Sequence, residues 1–120
     1  MKTLLSKRVV WVALLVMLQG VFLSSCNSQK KSEVPYAKSF LVDVRTPEEF
    51  SEGTVNGAVN IPLNEIESRF EEFKGKEQIV VFCRSGSRST EAKRILESNG
   101  FTNIVNGGTW QNVKNEVEKE

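Results

Sequence analysis

From residue 39 to the end of the chain, short apolar runs alternate with stretches that are apolar on one side only. "SFLVDV", residues 39–44, is short, apolar and rich in β-branched residues, which predicts a buried strand. A short helix should follow. Thr46 suits the N-cap, Pro47 the first helical position, and Glu49 completes a capping box three residues after Thr46. That helix should stop near Gly53. "GAVNIP", 57–62, reads as a short strand ended by Pro62. In residues 63–73, Leu63, Ile66, Phe70 and Phe73 share one helical face. "QIVVF", 78–82, has the unbroken apolar run of a central parallel strand covered on both faces. Residues 88–98 predict a helix with Ala92, Ile95 and Leu96 inward, ended at Asn99-Gly100. "FTNIVN", 101–106, predicts another strand, after which Gly107-Gly108 should turn the chain. A last amphipathic helix, 109–119, runs through Trp110, Val113 and Val117. These are four clear strands, with a weak signal for a fifth near Pro35–Lys38. The alternation implies an α/β domain with a mainly parallel sheet and helices on both faces.

The first 33 residues follow a different pattern. Lys2, Lys7 and Arg8 precede "VVWVALLVML", residues 9–18. The apolar run resumes at Val21-Phe22-Leu23 but is shorter than the roughly 20 residues that span a bilayer. A basic start, a short apolar region and small residues after it read as a secretory signal, residues 1–25. "LSSC", Leu23 to Cys26, resembles the lipobox of bacterial lipoproteins. The resemblance implies cleavage before Cys26, lipidation of its sulfur, and an envelope protein anchored to a membrane, facing the periplasm or the exterior. The alternative is a plain signal peptide or a short membrane anchor. Residues 26–33 would then be the lipidated cysteine and a polar tether, "NSQKKSE". The folded domain would be residues 34–120.

Composition narrows the chemistry. Three of the 16 basic residues and none of the 15 acidic ones precede Cys26, so the remainder carries no basic excess. Nucleic-acid binding is therefore not expected. Histidine is absent, which removes the commonest general base and the commonest metal ligand. Neither a metal site nor a cofactor is expected. If Cys26 is lipidated, Cys83 has no partner in the chain, and a free thiol in an oxidising compartment is a liability unless it is used.

Cys83 opens "CRSGSR", residues 83–88, between the most apolar strand and a helix. Ligands of parallel α/β sheets collect at such strand ends. Unpaired N–H groups and the dipole of the helix start favour an anion there. Arg84 and Arg88 add positive charge, so the thiol should ionise easily without a base. Gly86 lets the loop bend, and Ser85, Ser87 and Ser89 bring hydroxyl groups without negative charge. Such a loop can cradle a tetrahedral or persulfidic anion. The alternative is a buried, inert cysteine; the flanking arginines and serines favour a partly exposed, reactive one.

Four segments together, "LVDVRTPEEF", "EGTVNGAVNIP", "VVFCRSGSRS" and "NIVNGGTW", resemble a single-domain rhodanese, a thiosulfate sulfurtransferase-like protein. The resemblance covers about residues 34–112. It implies a five-stranded parallel sheet flanked by helices, and a persulfide carried on Cys83. It implies that the loop Arg84, Ser85, Gly86, Ser87, Arg88 supplies N–H donors and that the two arginines hold an anionic sulfur donor. The acceptor would be a thiol or cyanide, and a thiol-redox protein could regenerate the site. The related phosphatases and arsenate reductases have arginine six places after cysteine, whereas Arg88 stands five places after Cys83, a shorter ring suited to sulfur. A tethered sulfur carrier or binding module with little turnover is the competing function. Thr54 stands where the family usually has histidine. Asp43 and Arg45 are either supporting groups near the site or a surface ion pair, and Trp110 belongs either to the core or to the rim of the site.

Overall fold

The computed structural model describes residues 34–120, and the signal, lipidation and tether expectations for residues 1–33 lie outside them. Four parallel strands form one sheet: β1 (Phe40–Asp43), β2 (Val59–Asn60), β3 (Ile79–Cys83) and β4 (Ile104–Thr109). Their order is β2-β1-β3-β4. The chain therefore adds β2 on one side of β1 and then crosses back to build β3 and β4 on the other. Among the described residues three α-helices accompany them: α1 (Pro47–Glu52), α2 (Ser87–Ser98) and α3 (Trp110–Lys119). The expected α/β architecture with a parallel sheet is present.

Strand periodicity divides the core in two. Val42, Val44, Ile79, Val81 and Cys83 point to the face covered by α2 through Ala92 and Leu96. Leu41, Val80 and Phe82 point to the other face, where Val113, Trp110 and Val117 of α3 meet them. All five residues of β3 are buried, as its unbroken apolar run requires. The capping box also forms: Thr46 Oγ1 accepts from the Glu49 N–H at 3.3 Å, and Glu49 Oε2 accepts from the Thr46 N–H at 3.0 Å.

Three expectations are corrected. Residues Tyr36–Lys38 form a 3-10 turn, not a fifth strand, so the sheet has four strands among the described residues. The turn is held by the last residue of the chain, since Glu120 accepts from the N–H groups of Tyr36 and Ala37. Residues 63–73 fold as two 3-10 segments, Leu63–Glu65 and Glu67–Phe73, rather than one α-helix. The apolar spacing explains this. Leu63 to Ile66 and Phe70 to Phe73 are each three apart, the period of a 3-10 helix. The extra residue between the pairs is absorbed at Arg69, whose φ of −123° is non-helical. The apolar face survives: Ile66 and Phe73 are buried, with Leu63 and Phe70 packed against them.

The third correction concerns Gly107-Gly108, which do not turn the chain. Strand β4 begins at Ile104 and runs through both glycines, with a shift in its pairing to β3 between Val81 and Phe82. The shift is a β-bulge, and Gly108 at φ +76° provides the left-handed backbone it needs. Gly107 has another role. A Cβ there would collide with Val113 Cγ2 and lie 3.1 Å from Val80 Cγ1, so the missing side chain lets α3 seat on the sheet. Gly107→Ala should therefore destabilise the domain by about 1–3 kcal/mol through overpacking. Urea unfolding checks this, and an unchanged midpoint would contradict it.

Candidate active site

Cys83 is the last residue of β3, and helix α2 begins four residues later. Its side chain is buried, not partly exposed as the polar neighbours in sequence had implied. The strand delivers the sulfur beneath the loop, so the polar side chains lie around it without opening it to water. Gly86 makes this closure possible. It caps α2 with φ +94°, a conformation that costs glycine little. In that conformation its N–H points back to Cys83 Sγ at 3.0 Å.

Two opposing effects set the thiol's acidity. Burial is the largest single effect and pushes the Cys83 pKa up. The Ser89 N–H and hydroxyl, with the N–H groups of Ser85 and Gly86, pull it down and prevail. The net result is a pKa below the ordinary 9.0. The loop therefore stabilises the thiolate relative to an ordinary cysteine.

The arginines contribute differently from expectation. Arg88 is held in a two-pronged ion pair with Glu49 of α1, at 2.7 and 3.0 Å. Its pKa is raised first by Glu49, with the Cys83 charge a smaller contributor. Its positive charge is thus chiefly committed to a carboxylate. Arg84 is exposed and makes no ion pair among the described residues. Ser85 and Ser87 are also exposed on the loop. So the loop is ringed by N–H donors, with one uncommitted cation at its rim.

Asp43 and Arg45 do not form a surface pair. Both are buried, at 0% and 4% exposure. Asp43 Oδ1 accepts from the Arg45 N–H and Nε, and Oδ2 accepts from Nη2 at 2.7 Å. Thr54 Oγ1 donates to Asp43 Oδ2 at 2.8 Å, so the threonine at the usual histidine position completes this carboxylate's donors. Arg45 Nη2 also donates to the Gly53 carbonyl at 2.6 Å, and its guanidinium lies 5.2 Å from the centre of the Trp110 ring. Asn60 Nδ2 then donates to the carbonyls of Asp43 and Arg45, tying β2 to the end of β1. Trp110 therefore takes the core role of the two considered for it, packing against the Leu41, Val80, Phe82 and Val113 cluster and lying over the buried cation.

Glu49 and Asn106 are the contributors that sequence reasoning missed. Glu49 had a sufficient local role as a capping-box acid. Its contact with Arg88 spans 39 residues and leaves no local signature. Asn106 accepts from Ser89 Oγ at 2.8 Å across 17 residues. No group of three His, Cys, Asp or Glu that could hold a metal occurs among the described residues.

A parallel α/β sheet with a buried cysteine at the carboxyl end of a central strand, wrapped by a helix-starting loop of N–H donors, defines the class of this domain. The chain belongs to the rhodanese-like domain family, whose pattern it matches over residues 27–114. It is 34% identical over 80 residues to the thiosulfate sulfurtransferase PspE of Escherichia coli, covering 65% of this chain and 77% of that protein. It is 35% identical over 79 residues to the uncharacterized protein YqhL of Bacillus subtilis, covering 66% of this chain and 63% of that one. Among solved structures, a rhodanese with anions from E. coli superposes with a TM-score of 0.57 at 35% identity, over 61% of this chain and 88% of that chain.

Two predictions follow from the charges around the loop. Glu49's pKa is lowered from 4.5 to about 2, first by the hydrogen bond from Arg88 and then by that from Thr46. A depressed carboxyl pKa stabilises the fold above its unfolded value and loses that contribution as pH falls toward the folded one. Glu49→Gln should lower stability near neutrality and flatten its fall between 4.5 and about 2; denaturant midpoints across that range measure it, and an unaltered pH slope would refute it. Asp43→Ala leaves Arg45 buried without its partner, which should cost about 3–5 kcal/mol. Thermal and urea unfolding would show the loss, and a change below about 1 kcal/mol would mean the pair behaves as an exposed one.

Proposed function

We propose that this chain is a sulfurtransferase that carries sulfane sulfur as a persulfide on Cys83. The observation that carries the reading is the Gly86 N–H directed at a buried Cys83 Sγ whose pKa is lowered. Membership of the rhodanese-like family and the similarity to a protein named thiosulfate sulfurtransferase support it.

The reaction balances without a base or a cofactor. The Cys83 thiolate attacks the outer sulfur of thiosulfate. An S–S bond forms at Sγ while the S–S bond within thiosulfate breaks, and its electron pair leaves with sulfite. The negative charge then rests on the outer sulfur of the persulfide. A thiophilic acceptor, a thiol in the cell or cyanide in an assay, attacks that sulfur and returns Cys83 as thiolate. The loop N–H groups stabilise the charge in each state. Arg84, exposed at the rim, attracts the anionic donor.

The reading extends to location. The "LSSC" stretch supports lipidation at Cys26 and a domain tethered in the bacterial envelope, working there with a thiol-redox protein partner. The burial of Cys83 also favours a second reading, a tethered sulfur carrier that loads once and turns over little. Both load one sulfur; only the enzyme cycles. The full chain should convert thiosulfate and cyanide to thiocyanate over many turnovers, and Cys83→Ser should abolish this. Single loading without turnover would select the carrier, and activity surviving in Cys83→Ser would overturn both.

A further inference from the structure

The Ser89 hydroxyl has one proton and three acceptors around it. Asn106 Oδ1 lies 2.8 Å from Ser89 Oγ, the Gly86 carbonyl 3.0 Å and Cys83 Sγ 3.6 Å. A hydroxyl donates once, so two of the three go without it at any instant. The orientation of the Asn106 amide is not ambiguous. Its Oδ1 accepts from the Gly108 N–H at 3.0 Å, which only the oxygen can do, and its Nδ2 donates to Thr90 Oγ1 at 2.9 Å.

We propose that Asn106 is a positioning residue for Cys83: its amide oxygen takes the Ser89 proton while the sulfur is a thiol and yields it when the sulfur is an anion. As a thiol, Cys83 donates to Ser89 Oγ, and Ser89 donates onward to Asn106. When the thiol proton leaves to solvent, Ser89 Oγ loses its donor and turns its own proton to Sγ. Asn106 Oδ1 is not orphaned by this rotation, because the Gly108 N–H stays on it. The residue that competes for the proton, itself exposed, can therefore release it and keep a donor on its oxygen. Sulfur loading reverses the rotation, since the negative charge moves from Sγ to the outer sulfur. The β4 bulge acquires a purpose: it holds the Gly108 N–H where Asn106 needs a second donor. This inference rests on Cys83 being the reactive thiol.

The charged groups around the sulfur are Asp43 at the end of β1, Arg45 just after it, Glu49 of α1, Arg84 of the loop and Arg88 of α2. Substitution at Asn106 leaves all of them in place. The Gly86 carbonyl competes for the Ser89 proton in every variant that keeps Ser89.

The test is the pH dependence of Cys83 alkylation by iodoacetamide in the full chain. The readout is the mass of the Cys83 peptide, so that Cys26 does not contribute. Asn106→Ala removes the competing acceptor and should move the inflection down by about half a pH unit, roughly threefold more thiolate at a fixed pH below it. Asn106→Asp keeps an acceptor for the Gly108 N–H, adds an anion, and should move the inflection up. With Ser89→Ala in the same chain, Asn106→Ala should move nothing. The proposal is overturned if Asn106→Ala leaves the inflection in place or raises it, or shifts it equally when Ser89 is absent. Should Asn106→Ala fail to fold by circular dichroism, an inflection unmoved or lowered in Asn106→Asp overturns it instead. If alkylation follows the prediction while thiosulfate loads no sulfur, the sulfurtransferase reading fails and the role of Asn106 stands.

Discussion

Burying an anion is costly, and the carboxyl end of this sheet is arranged around that cost. Strand β3 is apolar throughout and ends on a sulfur atom that water does not reach. Burial alone would hold that sulfur as a thiol. The backbone offsets this with N–H groups of residues 85, 86 and 89, gathered by a left-handed glycine at the start of α2. The donors that stabilise the ionised form are backbone and hydroxyl groups, with no histidine among them.

The neighbouring charges are organised so as not to disturb that balance. Two acids and three arginines stand near the loop, and each acid takes one arginine: Asp43 with Arg45 and Glu49 with Arg88. The first pair is buried and acts as a brace. It joins the end of β1 to the Gly53-Thr54 segment that follows α1, while Asn60 binds β2 to the same backbone and Trp110 of α3 lies over the guanidinium. The second pair ties α1 to the first turn of α2. With both pairs neutral overall, the exposed Arg84 remains as the rim's uncommitted cation. The paired arginines and the exposed Arg84 are thereby kept separate.

What could be read from the sequence was mostly local. The apolar run of β3, the capping box at Thr46 and Glu49, and the cysteine at a strand-to-helix junction all leave signatures within a few residues. The features that escaped were long-range or ambiguous in kind. Glu49 meets Arg88 across 39 residues, and Glu120 holds the turn at Tyr36 across 84. Asp43 and Arg45 sit two apart in sequence, yet only the folded chain shows them buried. The Gly107-Gly108 pair reads equally as a turn or as a bulge under a closely packed helix, and only Val113 in place above it decides. The spacing of Leu63, Ile66, Phe70 and Phe73 fits one α-helical face as well as two 3-10 turns with a break at Arg69.

The central claim is that backbone and hydroxyl donors outweigh burial at Cys83. An ultraviolet titration of thiolate absorbance, taken as the difference between the native chain and Cys83→Ser, measures it without any substrate. The account predicts a single inflection below the ordinary 9.0. An inflection at or above that value would mean that burial wins, that the sulfur rests as an inert thiol, and that the loop does not serve as an anion cradle.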